Sequence, residues 1–379
     1  MVQNFYRIVA IVNQIILHAF QDTMLKTTSI ADNSAANRLL KLWAVRYLPD
    51  LTSFSQQGDQ FPAADLIDTA SPAGRTKTIE TVKRVLSISC EVAGIEATSL
   101  YSYIPNIVQL SETRRIAQSA NQVYEQVLNI YSQHQPPNHF LKFIDSSPDL
   151  FARLAMPFFV LPAITRLAES LEPTLLSLQQ EYLQSDDPRA IGFLTSQFHF
   201  TTREITKQLN PYEQVLLMPY FRFVEEQVCI PWQRVCAAAS GHLTNSPMFA
   251  LVEALLPRCH EIAERTYYRA VQDYPNHRSR QGELNHPVVA RSTLRDLIMV
   301  QGYLWLSLLE ENLSPIEQEL LPLCVMVFPS VGVKWELVQH MLHLLIEETI
   351  AQVSTAQKQL LLPYARSLKE LFGNGKVNF

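Results

Sequence analysis

Glycine is scarce in this chain, with 10 residues in 379, well under the average usage of roughly 7%. Glycine supplies the positive φ angles that tight hairpin turns require, so few such turns can be built. No convincing strand-like alternation of apolar and polar residues occurs, whereas apolar residues recur at helical spacing through most of the chain. The sequence therefore predicts an all-α protein: a large helical bundle with a smaller N-terminal helical section.

Basic charge is also limited, because 31 Lys and Arg stand against 36 Asp and Glu, for a formal net charge of −5. A protein that binds nucleic acid normally carries a basic stripe. The densest basic segments, Arg75–Arg84 and Arg114–Arg115, are too small to follow a phosphate backbone. We interpret them as surface charge on helices and expect no nucleic-acid partner.

The five cysteines are odd in number, widely separated and without a CxxC pair (Cys90, Cys229, Cys236, Cys259 and Cys324). This pattern argues against a disulfide framework and favours a reducing compartment, so we expect a cytoplasmic protein. Cys229 and Cys236 are seven residues apart, which predicts that they share one helical face. Small buried side chains are the expected role of all five.

No apolar run reaches the about 20 residues that a membrane-spanning helix needs. Leu154–Ile164 and Leu320–Val333 are shorter, and each contains two prolines, so we predict buried helices and no integral membrane segment. Polar residues interrupt the apolar core of Phe5–Phe20, which favours an amphipathic helix over a signal peptide. Peripheral membrane contact stays an alternative for this helix, although its polar face has few lysines for anionic lipid.

Breaks in the helical pattern predict four regions. Residues 1–48 form an N-terminal helical section, and residues 49–74, rich in Ser, Gln, Asp, Pro and Ala, form a linker or mobile loop. Residues 75–134 form a helical hairpin that packs on the main bundle, which covers 138–372. Ser147-Pro148 predicts the start of a central buried helix that is kinked at Pro157 or Pro162. Further helices are predicted near 172–185, 187–208, 211–239, 247–273, 288–311, 315–328, 334–353 and 355–372.

An internal similarity relates Leu209–Leu217 to Leu313–Leu321. In both segments a capping residue, Asn or Ser, precedes a proline, and a glutamate follows two residues after that proline. These residues predict a helix start with a capping box. Duplication and independent use of one helix-start signal both explain so short a match, and the second is favoured because repeat arrays show several full periods.

Sequence motifs for phosphate binding and nucleophilic catalysis are absent, since the chain has no GxGxxG, P-loop or GxSxG pattern. The nearest glycine pair, Gly373 and Gly375, follows the last predicted helix. Asp186-Asp187 directly precedes Pro188, which is typical of a helix start and not of a magnesium-pyrophosphate site. No catalytic residue is assigned on these grounds.

The best candidate for chemistry is a stripe of Glu336, His340, His343 and Glu347, at steps of four, three and four. Helical bundles that hold two metal ions use inward carboxylates with Glu-x-x-His spacing. At ~100° per residue the four side chains fall within roughly 60° of one another, opposite an arc of Leu, Val and Met. The stripe therefore points away from the core, and we interpret it as a solvated face with no metal bound.

His260 and Glu264 form a similar pair on an earlier helix, two turns after Glu253. His260 lies at the edge of that helix's apolar arc, which predicts a partly buried structural histidine. Clustered aromatic residues are best explained by core packing, although a pigment, haem or lipid pocket between helices would use the same residue types. These residues are Tyr220, Phe221, Phe223, Tyr267, Tyr268, Tyr303 and Trp305.

Two functions remain. The first is a non-enzymatic helical adaptor or regulatory protein that binds another protein, since amphipathic helices supply grooves for a partner helix; it needs no cofactor. The alternative is a helical-bundle metal- or cofactor-binding enzyme that uses His260, Glu264, His340, His343 and Glu347.

Overall fold

The computed structural model of the chain describes residues 35–47, 63–102, 110–134, 166–171, 173–175, 177–178 and 190–374. These ranges are helical apart from short connections and a two-stranded antiparallel hairpin, β1 (Arg278–Ser279) and β2 (Gly282–Glu283). The prediction of an all-α protein is confirmed. The helices predicted at Phe5–Phe20 and after Ser147, including Leu154–Ile164, lie outside the described residues. Among the described helices, none has the length and hydrophobicity needed to cross a bilayer.

The long helices follow one another with short connections. In chain order they are α1 (Ala35–Ala44), α2 (Ala63–Ala70), α3 (Pro72–Leu100), α4 (Leu110–Gln133), α5 (Ala190–Thr206), α6 (Pro211–Cys229), α7 (Trp232–Ser240), α8 (Pro247–Leu255), α9 (Cys259–Asp273), α10 (Pro287–Glu310), α11 (Leu321–Ser330), α12 (Trp335–Ala351) and α13 (Thr355–Asn374). The described residues between 166 and 178 are helical as well. Two 3-10 turns, Val45–Tyr47 and Leu256–Arg258, follow α1 and α8, and a π-helical turn, Ile316–Leu320, precedes α11.

Helix α3 is the central helix on one side of the molecule, where it packs against α2, α4 and α5. Helix α6 packs against the same three helices. Gly94 lets α3 approach its neighbours closely, because a Cβ there would lie 3.2 Å from both Gln197 Oε1 and Thr113 Cγ2. Helix α10 is the corresponding central helix on the other side and packs against α7, α8, α9 and α13. Helix α12 packs on α9 and α13.

The single helix predicted over 211–239 is wrong, because the chain breaks between α6 and α7 at Ile230–Pro231. Ile230 is extended, with φ −101° and ψ 132°, as expected of a residue that precedes proline. Cys229 and Cys236 therefore lie on different helices, and their predicted shared face is also wrong. Gly302 of α10 fits against this break, since a Cβ there would lie 2.5 Å from Ile230 Cγ2.

The two similar segments fold differently. At the start of α6, Asn210 Oδ1 accepts hydrogen bonds from the backbone N–H groups of Tyr212 (2.9 Å) and Glu213 (3.0 Å). Glu213 accepts the Asn210 N–H in return (2.9 Å), which confirms the capping box. The capping prediction is wrong in the second segment: Pro315 has no side-chain cap in the described structure, the Ser314 N–H donates to Asn312 Oδ1 (3.0 Å) instead, and the chain enters the π-helical turn.

The N-terminal helix α1 is part of the core. The Trp43 indole stacks on Trp232 of α7, with ring centroids 4.4 Å apart, and meets the edge of Trp305 of α10 at 5.8 Å. The Arg46 guanidinium lies 3.9 Å from the Trp43 ring. At the other end of the helix, Arg38 Nη2 is 2.6 Å from Glu253 of α8. Residues 35–47 are therefore firmly docked on the core.

A buried hydrogen-bond network completes this contact. Tyr47 donates to Glu226 Oε2 of α6 (2.6 Å) and accepts from Trp43 Nε1 (2.9 Å). Arg46 Nη2 lies 3.4 Å from Glu226 Oε1. Burial is the largest single influence on Arg46 and disfavours its charge, but Glu226, Cys259 and Tyr47 together outweigh burial, so the pKa of Arg46 lies above its usual value. Burial and then Glu226 raise the pKa of Tyr47, which keeps the phenol a neutral donor.

Two further expectations need correction. The linker predicted over 49–74 contains helix α2, and α3 begins at Pro72 because Ser71 caps it, accepting the Gly74 N–H at 3.1 Å. Arg75, predicted as surface charge, is buried. Its guanidinium donates to the carbonyl oxygens of Ala70 (3.0 Å) and Tyr131 (3.2 Å) and lies over the Tyr131 ring. The division into domains otherwise stays a prediction.

Replacing Trp43 tests how much the docking of α1 contributes to stability. We expect Trp43→Ala to lower the free energy of unfolding by about 3–5 kcal/mol, because a fully buried indole leaves a cavity between α7 and α10. Urea denaturation followed by circular dichroism measures the change. Leu243→Ala, at an exposed leucine, is the control and should stay within about 0.5 kcal/mol of the native chain. A loss below about 1 kcal/mol for Trp43→Ala would contradict the docking.

Candidate functional site

The His/Glu stripe lies on the outer face of α12, as the helical geometry predicted. Glu336 and Glu347 are exposed, and His340 and His343 are partly covered, while Leu337, Val338 and other apolar residues of α12 are buried. The orientation predicted from ~100° per residue is thus confirmed.

Three of the four stripe residues contact charged or titratable side chains of α9 or of α12 itself. His340 Nε2 lies 2.7 Å from Asp273 Oδ2 at the end of α9. His343 Nε2 lies 3.2 Å from Glu347 Oε1, one turn along the same helix. Arg269 of α9 contacts both Glu347 (2.8 Å) and Glu348 (2.7 Å). The hydrogen bond from Arg269 holds the pKa of Glu347 below its usual value, so this carboxylate is ionised near neutral pH.

His260 does not fulfil the prediction of a partly buried residue, because its side chain is 55% exposed. Cys259 and Ile262 occupy the core-facing positions of α9, which turns His260 outward, with Nε2 3.3 Å from Glu264 Oε1. Glu253 faces α1 instead, where it binds Arg38. Within the described residues, no group of three or more His, Cys, Asp or Glu side chains is placed to hold a metal ion. The arrangement favours a role in joining α9 to α12.

A different surface has the features of a binding site. It consists of four apolar residues of α3, here called the α3 stripe: Val85, Ile88, Val92 and Ile95. Ile88 is 65%, Val92 36% and Ile95 69% exposed, while Val85 is half-buried. The other large apolar side chains that the described residues expose are isolated from one another in sequence; they are Leu243, Tyr268 and Val288.

The spacing of the α3 stripe places its residues on one face of the helix. Steps of three, four and three residues follow the alternating spacing of a heptad repeat, which is the pattern of a helix that packs lengthwise against another helix. Isolated exposed apolar residues need no explanation, whereas a contiguous apolar patch marks an interaction site.

The opposite face of α3 fixes the stripe in position. Its buried residues, among them Val82, Leu86, Ala93 and Ala97, pack toward α4 and α5. The Gln197 side chain of α5 donates to the Cys90 carbonyl oxygen at 2.8 Å. Because this side of the helix is held by packing and hydrogen bonds, the exposed side is preorganised.

Charged residues border the stripe. Arg84 and Glu91 are exposed and seven residues apart, so they lie on the same flank with opposite charges. On the other flank, Glu96 forms an ion pair with Arg203 of α5. Arg84 and Glu91 are therefore the charges that a molecule lying on the stripe would meet first.

Sequence reasoning missed the α3 stripe, although a signal was present. Apolar residues occur on both faces of α3, which is more than one buried face requires. Helical periodicity alone does not tell which of two apolar faces is covered by the rest of the chain.

Comparison of the chain with protein families, with curated proteins and with solved structures found no match.

The ion pair of Glu347 predicts a small, pH-dependent effect. Glu347→Gln should reduce stability at pH 7 by at most about 1 kcal/mol, since the pair is well exposed and screened by solvent. A carboxylate whose pKa is lower in the folded than in the unfolded chain stabilises the fold at pH values above its unfolded pKa. That stabilisation is lost as the pH falls through the folded pKa. The difference between native chain and variant should thus begin to shrink below the ordinary Glu pKa of about 4.3 and keep falling as the pH passes through the lower folded pKa.

Thermal unfolding from pH 3 to 8 measures this difference. Glu336→Gln is the matched control, because Glu336 lies on the same face and forms no ion pair with a described residue. A loss of several kcal/mol for Glu347→Gln, or one that persists unchanged at pH 3, would show that Glu347 does more than join α9 to α12.

Proposed function

We propose that the protein is a non-enzymatic helical adaptor that binds an amphipathic helix of another protein along the α3 stripe. The observation that carries this proposal is the exposure of Ile88, Val92 and Ile95 at helical spacing on a supported helix. Each isoleucine would contribute roughly 1.5–3 kcal/mol when fully buried. Leaving them in water is a cost to the free protein that a partner removes.

The spacing and the charges define the partner. A repeat near 3.5 residues fits a helix that runs lengthwise along α3 with its own apolar stripe facing Val85–Ile95. Opposite charges at Arg84 and Glu91 fit a partner with an acidic residue near Arg84 and a basic residue near Glu91. These flanking pairs would set the register of the two helices, and the apolar contact would supply most of the affinity.

A metal- or cofactor-binding enzyme built on the His/Glu stripe has less support. His340 and Glu347 are held by Asp273 and Arg269, and a metal would have to displace both partners. The free thiols of all five cysteines are consistent with a reducing compartment, which supports the proposal that the adaptor acts in the cytoplasm.

The test uses a designed peptide of three heptads with an apolar stripe, an acidic residue opposite Arg84 and a basic residue opposite Glu91. We expect the peptide to gain helicity on mixing with the protein, because the stripe orders it. Ile88→Glu combined with Ile95→Glu should weaken binding at least about hundredfold, since two buried isoleucines are replaced by charges. Titration calorimetry and circular dichroism measure both effects.

Leu243→Glu is the matched control, because it adds one charge at an exposed leucine outside α3. It should leave peptide binding unchanged. Equal binding by the double variant, or no binding by the native chain, would refute the proposal. Sedimentation equilibrium tests whether a second copy of the chain covers the stripe instead. If the native chain is a dimer that dissociates in the double variant, the stripe is a dimer interface and the adaptor proposal fails.

A further inference from the structure

A cavity of about 170 Å³ lies between α5, α10, α11 and α12. Its described wall is mainly apolar and includes none of the four residues of the α3 stripe. Thr195 of α5 and Thr293 of α10 line the cavity and are half-buried, so the space reaches the surface between these two helices. An apolar cavity of roughly 150 Å³ admits a molecule the size of benzene. The space therefore suits a molecule with one ring.

Sulfur-containing side chains are concentrated in the cavity wall. Cys229 of α6, Met299 of α10, Cys324 of α11 and Met341 of α12 all line it, and all four are buried. Cys229 Sγ lies 3.1 Å from Met299 Sδ. Sulfur is polarizable and makes favourable contacts with aromatic rings, and methionine adapts its shape to the group beside it. A wall of this composition favours an aromatic ligand over a saturated one of the same size.

Aromatic side chains of three other parts of the chain complete the wall. They are Tyr101, directly after α3, Phe200 of α5 and Phe372 of α13, and all three are buried. The Phe372 ring is held in place by stacking on Trp335, with ring centroids 5.6 Å apart. Aromatic rings attract one another in offset or edge-to-face arrangements beyond the effect of burial alone. These residues therefore favour the same class of ligand as the sulfur atoms.

The two thiols of the wall carry no charge at neutral pH. Burial raises the pKa of Cys229 to about 12 and raises the pKa of Cys324 as well. A metal ion binds the thiolate and not the thiol. Protonated thiols therefore favour an uncharged organic ligand over a metal ion.

Several polar side chains of the wall already have partners within the protein. Arg295 donates to Asp296 Oδ1 through Nε (3.1 Å) and Nη2 (2.9 Å), so the two charges compensate each other. Ser196 Oγ lies 2.7 Å from the Tyr101 hydroxyl oxygen. An ion entering this mainly apolar space would find no opposite charge free among the described wall residues to compensate its lost hydration.

We propose that this cavity binds a small, uncharged aromatic molecule whose ring lies against the sulfur-containing and aromatic side chains of the wall. The apolar surroundings exclude charged molecules, and the contacts with sulfur and with other rings select an aromatic ring over a saturated one. The site is independent of the α3 stripe and of the proposed adaptor function, because the two surfaces share no residue.

Titration calorimetry of the full chain with four probes tests the proposal. Toluene and cyclohexane are uncharged and nearly equal in volume, whereas p-toluate and 4-methylbenzylamine add a negative or a positive charge to the toluene frame. Because cyclohexane leaves water more readily than toluene, each neutral probe's affinity is divided by its partition coefficient from water into hexadecane. After this correction we expect toluene to bind roughly tenfold more tightly than cyclohexane. The charged probes should bind at least about tenfold more weakly than toluene, because the apolar space penalises charge.

A conservative variant tests the contacts with sulfur. Met299→Leu combined with Met341→Leu keeps the volume of the wall nearly constant and removes two sulfur atoms. It should reduce the corrected preference for toluene at least about twofold and leave the affinity for cyclohexane unchanged. Met248→Leu is the matched control, at a methionine that packs elsewhere against the core, and it should alter neither affinity. An unchanged preference in the double variant would overturn the contact with sulfur.

The position of the bound ring is measured by NMR on the native chain labelled with ¹³C-methyl methionine. The signals of Met299 and Met341 should shift with toluene, whereas that of Met248 should not. Val300→Phe fills the cavity and should abolish binding of both neutral probes, while Val288→Phe, on the exposed side of α10, should not.

Two results with the native chain would contradict the proposal even if the variants did not fold. Corrected affinities that are equal, or higher for cyclohexane, would overturn the preference for an aromatic ring. Absence of toluene binding, or shifts at Met248 in place of Met299 and Met341, would overturn the cavity as the site.

Discussion

The contact of α1 with α6, α7 and α10 is the constraint on which the arrangement of the remaining helices depends. Trp43 fills the space between Trp232 and Trp305. The side chains of Arg46 and Tyr47, which follow it in the chain, both contact the Glu226 carboxylate. A buried carboxylate is tolerated only if it is paired and hydrogen-bonded. Glu226 is therefore stable in the core only when α1 is docked. The docking of α1 depends in turn on the break at Ile230–Pro231, because that break brings Trp232 beneath it.

Local signals predicted the fold well where the physics is local. Asn210, Pro211 and Glu213 specify the start of α6 through hydrogen bonds that span three residues, and angular spacing correctly turned Glu336 and Glu347 outward. The break at Pro231 was predictable from the restriction that proline places on Ile230, but the apolar periodicity on both sides of it concealed the break.

Long-range contacts explain the remaining differences. Arg75 is buried because the Tyr131 carbonyl, 56 residues later in the chain, accepts its hydrogen bond. For the same reason the α3 stripe could not be separated from a buried face, since that distinction depends on where other helices lie.

The cysteines give this molecule a property of their own. Four of the five thiols are buried, in α3, α6, α9 and α11. Burial raises the pKa of Cys90 and of Cys229 to about 12. Because the thiolate is the reactive species, each buried thiol is shielded from alkylation until its own helix opens. The four buried thiols are thus natural probes of local unfolding. The order in which they react with an alkylating reagent would give the order in which their helices open.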